Sequence, residues 1–338
     1  MKRALTGALV AGALLLAGCG TTDTEADQDS PSTPQAADCD PGTTETGPVE
    51  LTDGFGRKVT LDKPAERVAV LEWQQLEDVL SLCITPVAAA DLKGYSTWTS
   101  AEELPESGIT ETGTRGEPNT EALYGASPDL VIVEAYTADD EIIKTLEKFD
   151  VPVLATKGAD AKDPIAQTRA TFELIAQATG RTERAAEVLA EMDETLAEAK
   201  AEISEADLAE KDFVYFDGWI DGGNVSIRPF GQGSLMGEVG EALGLTNAWT
   251  GEVDAAYGLG QSDIEGFTKT GGATLLYTGT DDPDSEDVNQ KLVANPVWKK
   301  LPAVQDGRAH AFPAGIWTFG GPRSVEQIAE AYVDALAD

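Results

Sequence analysis

Residues 116–133 read GEPNTEALYGASPDLVIV, and this stretch determines the fold class. Asn119 is a residue type that favours the start of a helix, and the chain from there to Ala126 reads as a helix. Leu130 to Val133 is a short, wholly apolar run, which is typical of a strand buried on both faces. The stretch therefore predicts a helix that leads into a core strand of an α/β protein.

The same alternation of short apolar runs and helices extends on both sides of this stretch. In the first half, strands are predicted at 67–71, 86–90 and 151–154, and helices at 74–82 and 139–149. In the second half, strands are predicted at 213–216, 274–277 and 309–312, and helices at 234–243, 264–268 and 325–336. This order favours parallel sheets covered on both faces. The sequence thus predicts two α/β lobes, an N-terminal one at 51–163 and a C-terminal one at 204–338.

Residues 164–203 form a long helical region between the two lobes, with Gly180 as a candidate break. Beyond the break, apolar residues recur at helical spacing: Ala185, Val188, Leu189, Met192, Leu196, Ala199 and Ile203. At about 1.5 Å per residue, a helix over 181–203 would be about 34 Å long, which is enough to bridge two lobes. A helix packed on one lobe alone would have the same periodicity, so both arrangements stay open.

The amino terminus has the parts of a secretory signal. Lys2 and Arg3 precede an apolar run over 8–16, which is too short to span a bilayer stably. The LAGC segment at 16–19 resembles the lipobox of bacterial lipoproteins, which implies cleavage before Cys19, acylation of its thiol and a protein tethered outside the cell. An ordinary signal peptide with an incidental cysteine and an uncleaved apolar helix are the alternatives.

The next segment has the composition of a tether. From Gly20 to about Pro48 the chain is mainly Thr, Asp, Ser, Pro, Gln and Gly, with almost no large apolar side chain. Such a segment cannot bury enough surface to offset the entropy lost on ordering. The sequence therefore predicts a lipoprotein signal peptide over 1–18 and a flexible tether over 19–50.

The formal net charge of −36 limits the partners of this chain. A surface this acidic repels phosphate backbones, which excludes nucleic acid as an expected partner, and it makes any arginine in a cleft conspicuous. If Cys19 is acylated, Cys39 and Cys83 remain, and an oxidising compartment favours a disulfide between them. Two free thiols are the alternative, because spacing alone does not show that the two residues meet.

The motifs at this point resemble a known family. The segment from Glu117 to Glu121, followed by PDLVIV, resembles the E-P-N-x-E … P-D-L-(V/I)-(I/V) signature of substrate-binding proteins that serve ABC importers of iron-siderophore complexes and cobalamin. Glu265 begins a similar unit in the second half, with Gly272-Ala273 in the place of Pro128-Asp129. The segments 67–73, 90–95 and 317–322 resemble members that take hydroxamate or citrate-hydroxamate siderophores.

The resemblance covers residues 52–336 and has consequences for the fold and the function. It implies the helical-backbone class of periplasmic-binding-protein-like folds, in which two Rossmann-like lobes with parallel sheets are joined by one long helix. It further implies limited hinge motion and a shallow ligand cleft between the lobes. The expected protein is a monomeric, non-catalytic receptor without a cofactor or a directly bound metal, anchored at the outer face of the cell membrane, that passes a ferric siderophore to an ABC permease dimer.

Ligand residues follow from the resemblance position by position. In ferric-hydroxamate binding proteins an Arg beside the E-P-N segment and a Tyr after the following strand contact the hydroxamate oxygens, and Arg115 and Tyr136 match them. Arg228 matches a ligand-contacting Arg of the second lobe, and Tyr257 matches a cleft aromatic that is Trp in some relatives.

Aromatic faces are expected to complement these arginines. Guanidinium groups bind partly negative oxygens, and flat rings cover the apolar part of a chelate. The candidate rings are Trp73, Trp98, Trp219 and Trp317. Surface ion pairing is the alternative for both arginines, which are expected at strand-to-helix junctions, and burial in the core is the alternative for each tryptophan.

Glu121 and Glu265 are the candidate permease-docking residues. The resemblance implies that one glutamate on each lobe meets an arginine on each permease subunit. The alternative is helix capping, since Asn119 and Ser262 resemble N-caps and Ser262 to Glu265 has the spacing of a capping box.

Other functions are disfavoured by the residues that the chain lacks. His310 is its one histidine, and no Gly-x-Ser-x-Gly elbow or complete dinucleotide-binding glycine motif is present. A siderophore-processing enzyme or a cofactor-binding oxidoreductase is therefore the weaker class. Within the receptor class, cobalamin or haem is the alternative ligand, and the pair Arg115 and Tyr136 favours an iron chelate.

Overall fold

The first lobe is built on a parallel sheet whose strands are the apolar runs of the sequence. The computed structural model describes residues 39–280 and 283–337. The strands of the first lobe are β1 (Val49–Thr52), β2 (Lys58–Leu61), β3 (Val68–Val70), β4 (Ala88–Ala89), β5 (Thr110–Glu111), β6 (Leu130–Ala135) and β7 (Val153–Lys157). Its helices are α1 (Trp73–Ser81), α2 (Leu92–Trp98), α3 (Thr120–Gly125) and α4 (Glu141–Leu146). β1 and β2 form an antiparallel hairpin, and the others pair in parallel in the order β5-β4-β3-β6-β7.

Successive side chains along these strands point to opposite faces of the sheet, and each face is covered by helices. Val68, Val70 and Ile132 pack into the core on one face of the sheet, whereas Ala69 and Val131 pack into a second core on the other face. All five side chains are fully buried. A parallel sheet needs this coverage because its strands are apolar on both faces. The carboxyl ends of the strands remain as the open edge where such sheets bind ligands.

Two helices join the lobes, α5 (Pro164–Thr179) and α6 (Thr182–Glu205), and the predicted break between them is confirmed. Gly180 has a φ of 66°, a left-handed conformation that ends a helix at little cost for glycine. The predicted apolar stripe of α6 is buried, apart from the partly exposed Leu196. With 24 residues, α6 is about 36 Å long.

The second lobe has a mixed sheet. Its strands are β8 (Asp212–Asp221), β9 (Asn224–Phe230), β10 (Thr246–Asn247), β11 (Thr274–Tyr277) and β12 (Ala309–Ala311). Its helices are α7 (Leu235–Ala242), α8 (Pro283–Ala294), α9 (Pro302–Gln305) and α10 (Pro322–Leu336), with 3₁₀ turns at Ile264–Lys269 and Trp298–Lys300. β10, β8, β11 and β12 are parallel neighbours in that order, and β9 runs antiparallel to β8.

The antiparallel β8–β9 hairpin corrects the expectation of a purely parallel sheet. β9 was not predicted, because Ser226, Arg228 and Pro229 interrupt its apolar residues. The turn that precedes it did carry a signal. Gly222 and Gly223 both have positive φ, and a pair of glycines between two strand segments is a common hairpin turn.

The lobes share one apolar core. Phe213 and Tyr215 of the second sheet belong to the same cluster as Val70 of the first sheet and Tyr332 of α10. α10 packs along α6 and also contacts α1 of the first lobe and α7 of the second. Wide opening of the lobes would expose this core to water, so the packing favours limited hinge motion. The bridging role predicted for one helix is therefore shared by α5, α6 and α10.

Residues 39–48 are fixed against the folded body, although their composition predicts a flexible tether. Cys39 and Cys83 form a disulfide, as favoured by the sequence. The backbone N–H of Thr43 donates to Oε2 of Glu183, in the first turn of α6, at 2.8 Å. The tether prediction is therefore wrong from Cys39 onward, because a covalent bond and hydrogen bonds, rather than apolar burial, hold this segment.

The predicted signal peptide, Cys19 and the rest of the tether lie outside the described residues. Within the described part of the chain, none of the helices combines the length and the apolar content that a membrane span requires.

Candidate functional site

Two adjoining cavities lie at the carboxyl ends of the strands. The first, called the main cleft, has a volume of about 940 Å³ and is lined by Glu72, Arg115, Glu134, Tyr136, Arg228, Tyr257, Trp317 and Phe319, among others. The second, called the side compartment, has a volume of about 350 Å³ and is lined by Trp73, Trp98, Phe216, Trp219, Leu292 and Ile316, among others. Arg115, Arg228 and Trp317 line both. The structure thus brings every predicted ligand residue to one of two connected cavities.

Arg115 lies in the loop after β5 and is held by an acid and a ring. Its Nη1 forms an ion pair with Oε1 of Glu72, and its Nε is 4.0 Å from Oδ2 of Asp91. Its Cζ lies 3.8 Å from the centroid of the Trp73 ring. Oε1 of Glu72 also accepts from the backbone N–H of Trp73 at 2.8 Å, which caps α1. The guanidinium is therefore positioned before any ligand arrives.

Arg228 is positioned by the hairpin that the sequence analysis missed. It lies on β9 directly opposite Asp217 on β8, rather than at the expected strand-to-helix junction. Its Nε donates to Oδ1 of Asp217 at 2.9 Å, and its Nη2 bonds the other carboxylate oxygen. Its Cζ is 5.5 Å from the ring centroids of Phe230 and Phe319.

Both arginines are therefore in ion pairs, as the alternative interpretation expected, but the pairs line the cavities. About a third of each arginine side chain remains exposed, 32% for Arg115 and 34% for Arg228. A guanidinium has five N–H donors, and each of these ion pairs uses only some of them, so the others can bind a ligand.

A continuous strip of aromatic rings runs from Trp73, in the side compartment, through the main cleft. Successive centroids are 4.7 Å apart for Trp73 and Trp317, 5.3 Å for Trp317 and Phe319, 5.6 Å for Phe319 and Tyr257, and 6.3 Å for Tyr257 and Tyr136. Trp73 is only 4% exposed and so also serves the core, whereas Tyr136 is 72% exposed. The strip joins the two lobes and offers flat faces to an apolar ligand surface.

Carboxylates were the functional residues that the sequence analysis missed. Those that line the main cleft are Glu72, Asp91, Glu134, Asp140 and Glu141. A signal was available for the first three, because each directly follows a predicted buried strand and so falls at the edge where ligands bind.

Glu134 and Tyr257 connect the lobes across the cleft. The Tyr257 hydroxyl donates to Oε1 of Glu134 at 2.7 Å. Burial, and secondarily the nearby charge of Glu72, raises the pKa of Glu134 to about 7. Gly158 leaves room for the pair, because a Cβ at that position would lie 2.3 Å from the Tyr257 hydroxyl oxygen. Because the pKa of Glu134 is about 7, the cleft gains a negative charge as the pH rises through neutrality.

Glu121 is exposed in the first turn of α3. Oδ1 of Asn119 accepts from the backbone N–H groups of Glu121 and Ala122 at 3.0 and 3.1 Å, so the predicted cap is confirmed. Capping of α3 is thus supplied by Asn119, and the Glu121 carboxylate makes no ion pair with any residue that the structure describes.

Glu265 is exposed in the first turn of a 3₁₀ helix, and the predicted capping box around it is wrong. Asp263 is the cap instead of Ser262, and its Oδ1 accepts from the backbone N–H of Gly266 at 3.1 Å. The helix that carries Glu121 leads directly into β6, and the 3₁₀ helix that carries Glu265 leads directly into β11. Both strands are interior and parallel to their neighbours, so both helices begin near the carboxyl edge of their sheet.

Known proteins with related sequences bind ferric complexes. The chain is 27% identical over 271 residues to the iron(3+)-hydroxamate-binding protein FhuD of Escherichia coli, which covers 80% of this chain and 86% of the relative. It is 30% identical over 276 residues to the Fe(3+)-citrate-binding protein YfmC of Bacillus subtilis, with 81% of both chains covered.

A solved structure has the same fold, and a family model matches most of the chain. The siderophore binding protein FhuD of Vibrio cholerae, solved with bound Fe3+-Desferal, superposes with a TM-score of 0.70 at 26% identity over 80% of this chain and 98% of that one. A model of the periplasmic binding protein family matches residues 68–314, which include the strands of both five-stranded sheets, and the chain therefore belongs to the periplasmic binding protein family.

Proposed function

We propose that this protein is a non-catalytic extracytoplasmic receptor that binds a ferric siderophore in the main cleft and delivers it to an ABC importer. The observation that carries the proposal is the placement of Arg115 and Arg228, one from each lobe, beside an aromatic strip in one cleft. The relatives named for binding iron(3+)-hydroxamate and Fe(3+)-citrate support the same ligand class.

The charge of the cleft favours a tris-hydroxamate chelate over a tris-catecholate chelate. Three hydroxamates balance the charge of one ferric ion, so such a complex is neutral and presents oxygens with partial negative charge. Both arginines are already paired with carboxylates, and further acids line the main cleft. Repulsion from these acids would oppose a tris-catecholate complex, whose net charge is strongly negative.

A tryptophan-fluorescence titration against a panel of ligands tests this proposal. The panel contains ferric hydroxamate, citrate-hydroxamate, catecholate and citrate complexes, with cobalamin and haem as the alternative ligands. Saturable quenching is expected for the hydroxamate-containing complexes, because the tryptophans of the strip lie at the ligand. Saturable binding of cobalamin or haem alone would overturn the assignment.

The pH dependence of binding should depend on Glu134. Because its pKa is about 7, Glu134 becomes charged as the pH rises from 6 to 8. The new charge repels the partly negative hydroxamate oxygens, so the affinity for a ferric hydroxamate should fall by about fivefold, or ~1 kcal/mol. Glu134→Gln should remove this slope. Glu141→Gln is the matched control, because Lys144 holds the pKa of Glu141 below its usual value and the slope should persist. An unchanged slope in Glu134→Gln would contradict the assignment.

The lipid anchor is proposed on the sequence of residues 16–19 and is consistent with relatives from Bacillus subtilis that are named lipoproteins. Cys19→Ala should abolish incorporation of labelled palmitate and leave the protein uncleaved or released from the membrane. The measurement is metabolic labelling followed by fractionation of the cells. Labelling of the variant at the level of the parent would refute the anchor at Cys19.

Glu121 and Glu265 are proposed to dock the two lobes on a permease dimer. Both are exposed at the carboxyl edge of their sheets, and capping is assigned to Asn119 and Asp263, so neither glutamate is needed as a cap. Glu121→Arg and Glu265→Arg together should abolish uptake of a labelled ferric siderophore, while the purified variant keeps its ligand affinity. Glu173→Arg, at an exposed position of α5, is the control for one such charge reversal. Normal uptake by the double variant would end the docking hypothesis.

A further inference from the structure

The side compartment and the main cleft differ in chemistry. The main cleft is lined by several carboxylates, whereas the charged groups among the described lining residues of the side compartment are Arg115, Asp217 and Arg228. The rest of the side compartment is largely aromatic and aliphatic, with Trp98 and Phe216 among its walls. Trp219 also lines the side compartment and is 41% exposed.

Two of these three charged groups, Arg115 and Arg228, lie on the wall that the side compartment shares with the main cleft, and each of the three has a partner. Asp217 is bound at two points by Arg228, and Arg115 is paired with Glu72 and lies over the Trp73 ring. A charged group that entered would lose its water and find no unpaired counter-charge among the described lining residues, which is costly. An apolar group would instead gain from burial against the rings.

We propose that the side compartment binds an apolar arm, such as an acyl chain, of the same chelate whose iron-binding end lies in the main cleft. The inference rests on the proposed function and extends it to the class of siderophore, an acylated or otherwise apolar-substituted ferric hydroxamate. Continuity supports it, because Arg115, Arg228 and Trp317 line both cavities and a single ligand can reach from one to the other. The side compartment is also large enough for such an arm, at about 350 Å³.

The probes are two ferric complexes that differ only in the length of an acyl arm. A linear trihydroxamate with a terminal amine, desferrioxamine, is N-acylated with an acetyl or a hexanoyl group and loaded with iron. Both derivatives have the same charge and the same iron-binding end. Each methylene that becomes buried should tighten binding by about fourfold, so the hexanoyl complex should bind at least about tenfold more tightly.

Two variants of α8 locate the effect. Val288 lines the side compartment, and Val288→Asp would place a charge within it. Val293 lies on the same helix, is 46% exposed and does not line the side compartment, so Val293→Asp is the matched control. The acetyl complex reports folding and an intact main cleft in both variants.

Dissociation constants for both complexes are measured by fluorescence titration with the parent and the two variants. The dissociation constant of the acetyl complex divided by that of the hexanoyl complex should be at least about ten in the parent and in Val293→Asp. In Val288→Asp the same ratio should be near one. The affinity for the acetyl complex should be the same in all three proteins. Equal affinities for the two complexes in the parent would overturn the assignment of the side compartment while leaving the proposed function intact. Persistence of the ratio in Val288→Asp would overturn it as well. Failure of the parent to bind either complex would overturn both.

Discussion

Glu77→Ala should lower the free energy of unfolding by about 2–4 kcal/mol, an unusually large effect for the loss of one carboxylate. Glu77 is fully buried in α1, where its Oε1 accepts from the backbone N–H of Ser324 at 2.9 Å and its Oε2 accepts from the Ser324 hydroxyl at 2.5 Å. The cap residue of α10, Gly321, has no side chain to bond these donors. A carboxylate of the first lobe therefore caps the helix that follows the Trp317 and Phe319 segment.

Urea unfolding of the variant and of a matched control measures this effect. Glu330 lies exposed on α10 itself, so Glu330→Ala should change stability by less than about 0.5 kcal/mol. Ser324→Ala removes only the hydroxyl bond and should cost about 1 kcal/mol. If Glu77→Ala proved as mild as Glu330→Ala, the carboxylate would have no role in holding α10.

The same carboxyl should make stability depend on pH. Burial raises the pKa of Glu77 to about 7, so the native state keeps a proton that the unfolded chain loses near pH 4.5. The contribution of this group to stability therefore falls as the pH rises from about 4.5 to about 7. Glu77→Gln should reduce that slope. Some slope should remain, because burial also raises the pKa of the neighbouring Asp78.

Arg228→Ala should raise the dissociation constant for a ferric hydroxamate by one to two orders of magnitude. A hydrogen bond that involves a charged group contributes about 1.5–3 kcal/mol net, and the guanidinium is held beside the ligand by Asp217 and two rings. Arg228→Lys should recover only part of the affinity, because an ammonium cannot reproduce the two-point pair with Asp217. Titration calorimetry with one chelate measures all three proteins.

A second variant separates ligand binding from the ion pair. Arg228→Ala alone leaves Asp217 partly buried without its cation, which destabilises the hairpin. Asp217→Asn combined with Arg228→Ala removes that unpaired charge and should restore stability without restoring affinity. Recovery of parental affinity in the double variant would mean that Arg228 serves the hairpin and not the ligand.

Four strands and three helices of the first lobe could be predicted because their physics is local, whereas β1, β2, β5 and α2 were not predicted. The run from Leu130 to Val133 is apolar throughout, and it forms β6, an interior strand of a parallel sheet. Gly180 ended a helix as its conformational freedom suggested. Strands buried on both faces and helices with one apolar stripe each have a distinct period, so they can be identified without knowledge of their partners.

The second lobe and the details of the site depended on contacts between distant segments. β9 alternates polar and apolar residues, and the partner of Arg228 lies across the hairpin, eleven residues away. Glu134 on β6 and its partner Tyr257 come from different lobes, so they approach each other only after both lobes have folded. The resemblance placed the arginines and the aromatic residues in a cleft, but it did not show that carboxylates hold them there.

The central claim is that a ferric hydroxamate binds between Arg115 and Arg228 in the main cleft, and titration calorimetry tests it most directly. The parent is compared with Arg115→Ala/Arg228→Ala and with Arg169→Ala/Arg184→Ala, which removes the same charge from α5 and α6 outside both cavities. We expect one chelate per chain, unchanged affinity in the control, and at least about 100-fold weaker binding in the cleft variant. Parental affinity in the cleft variant, with the fold intact, would contradict it.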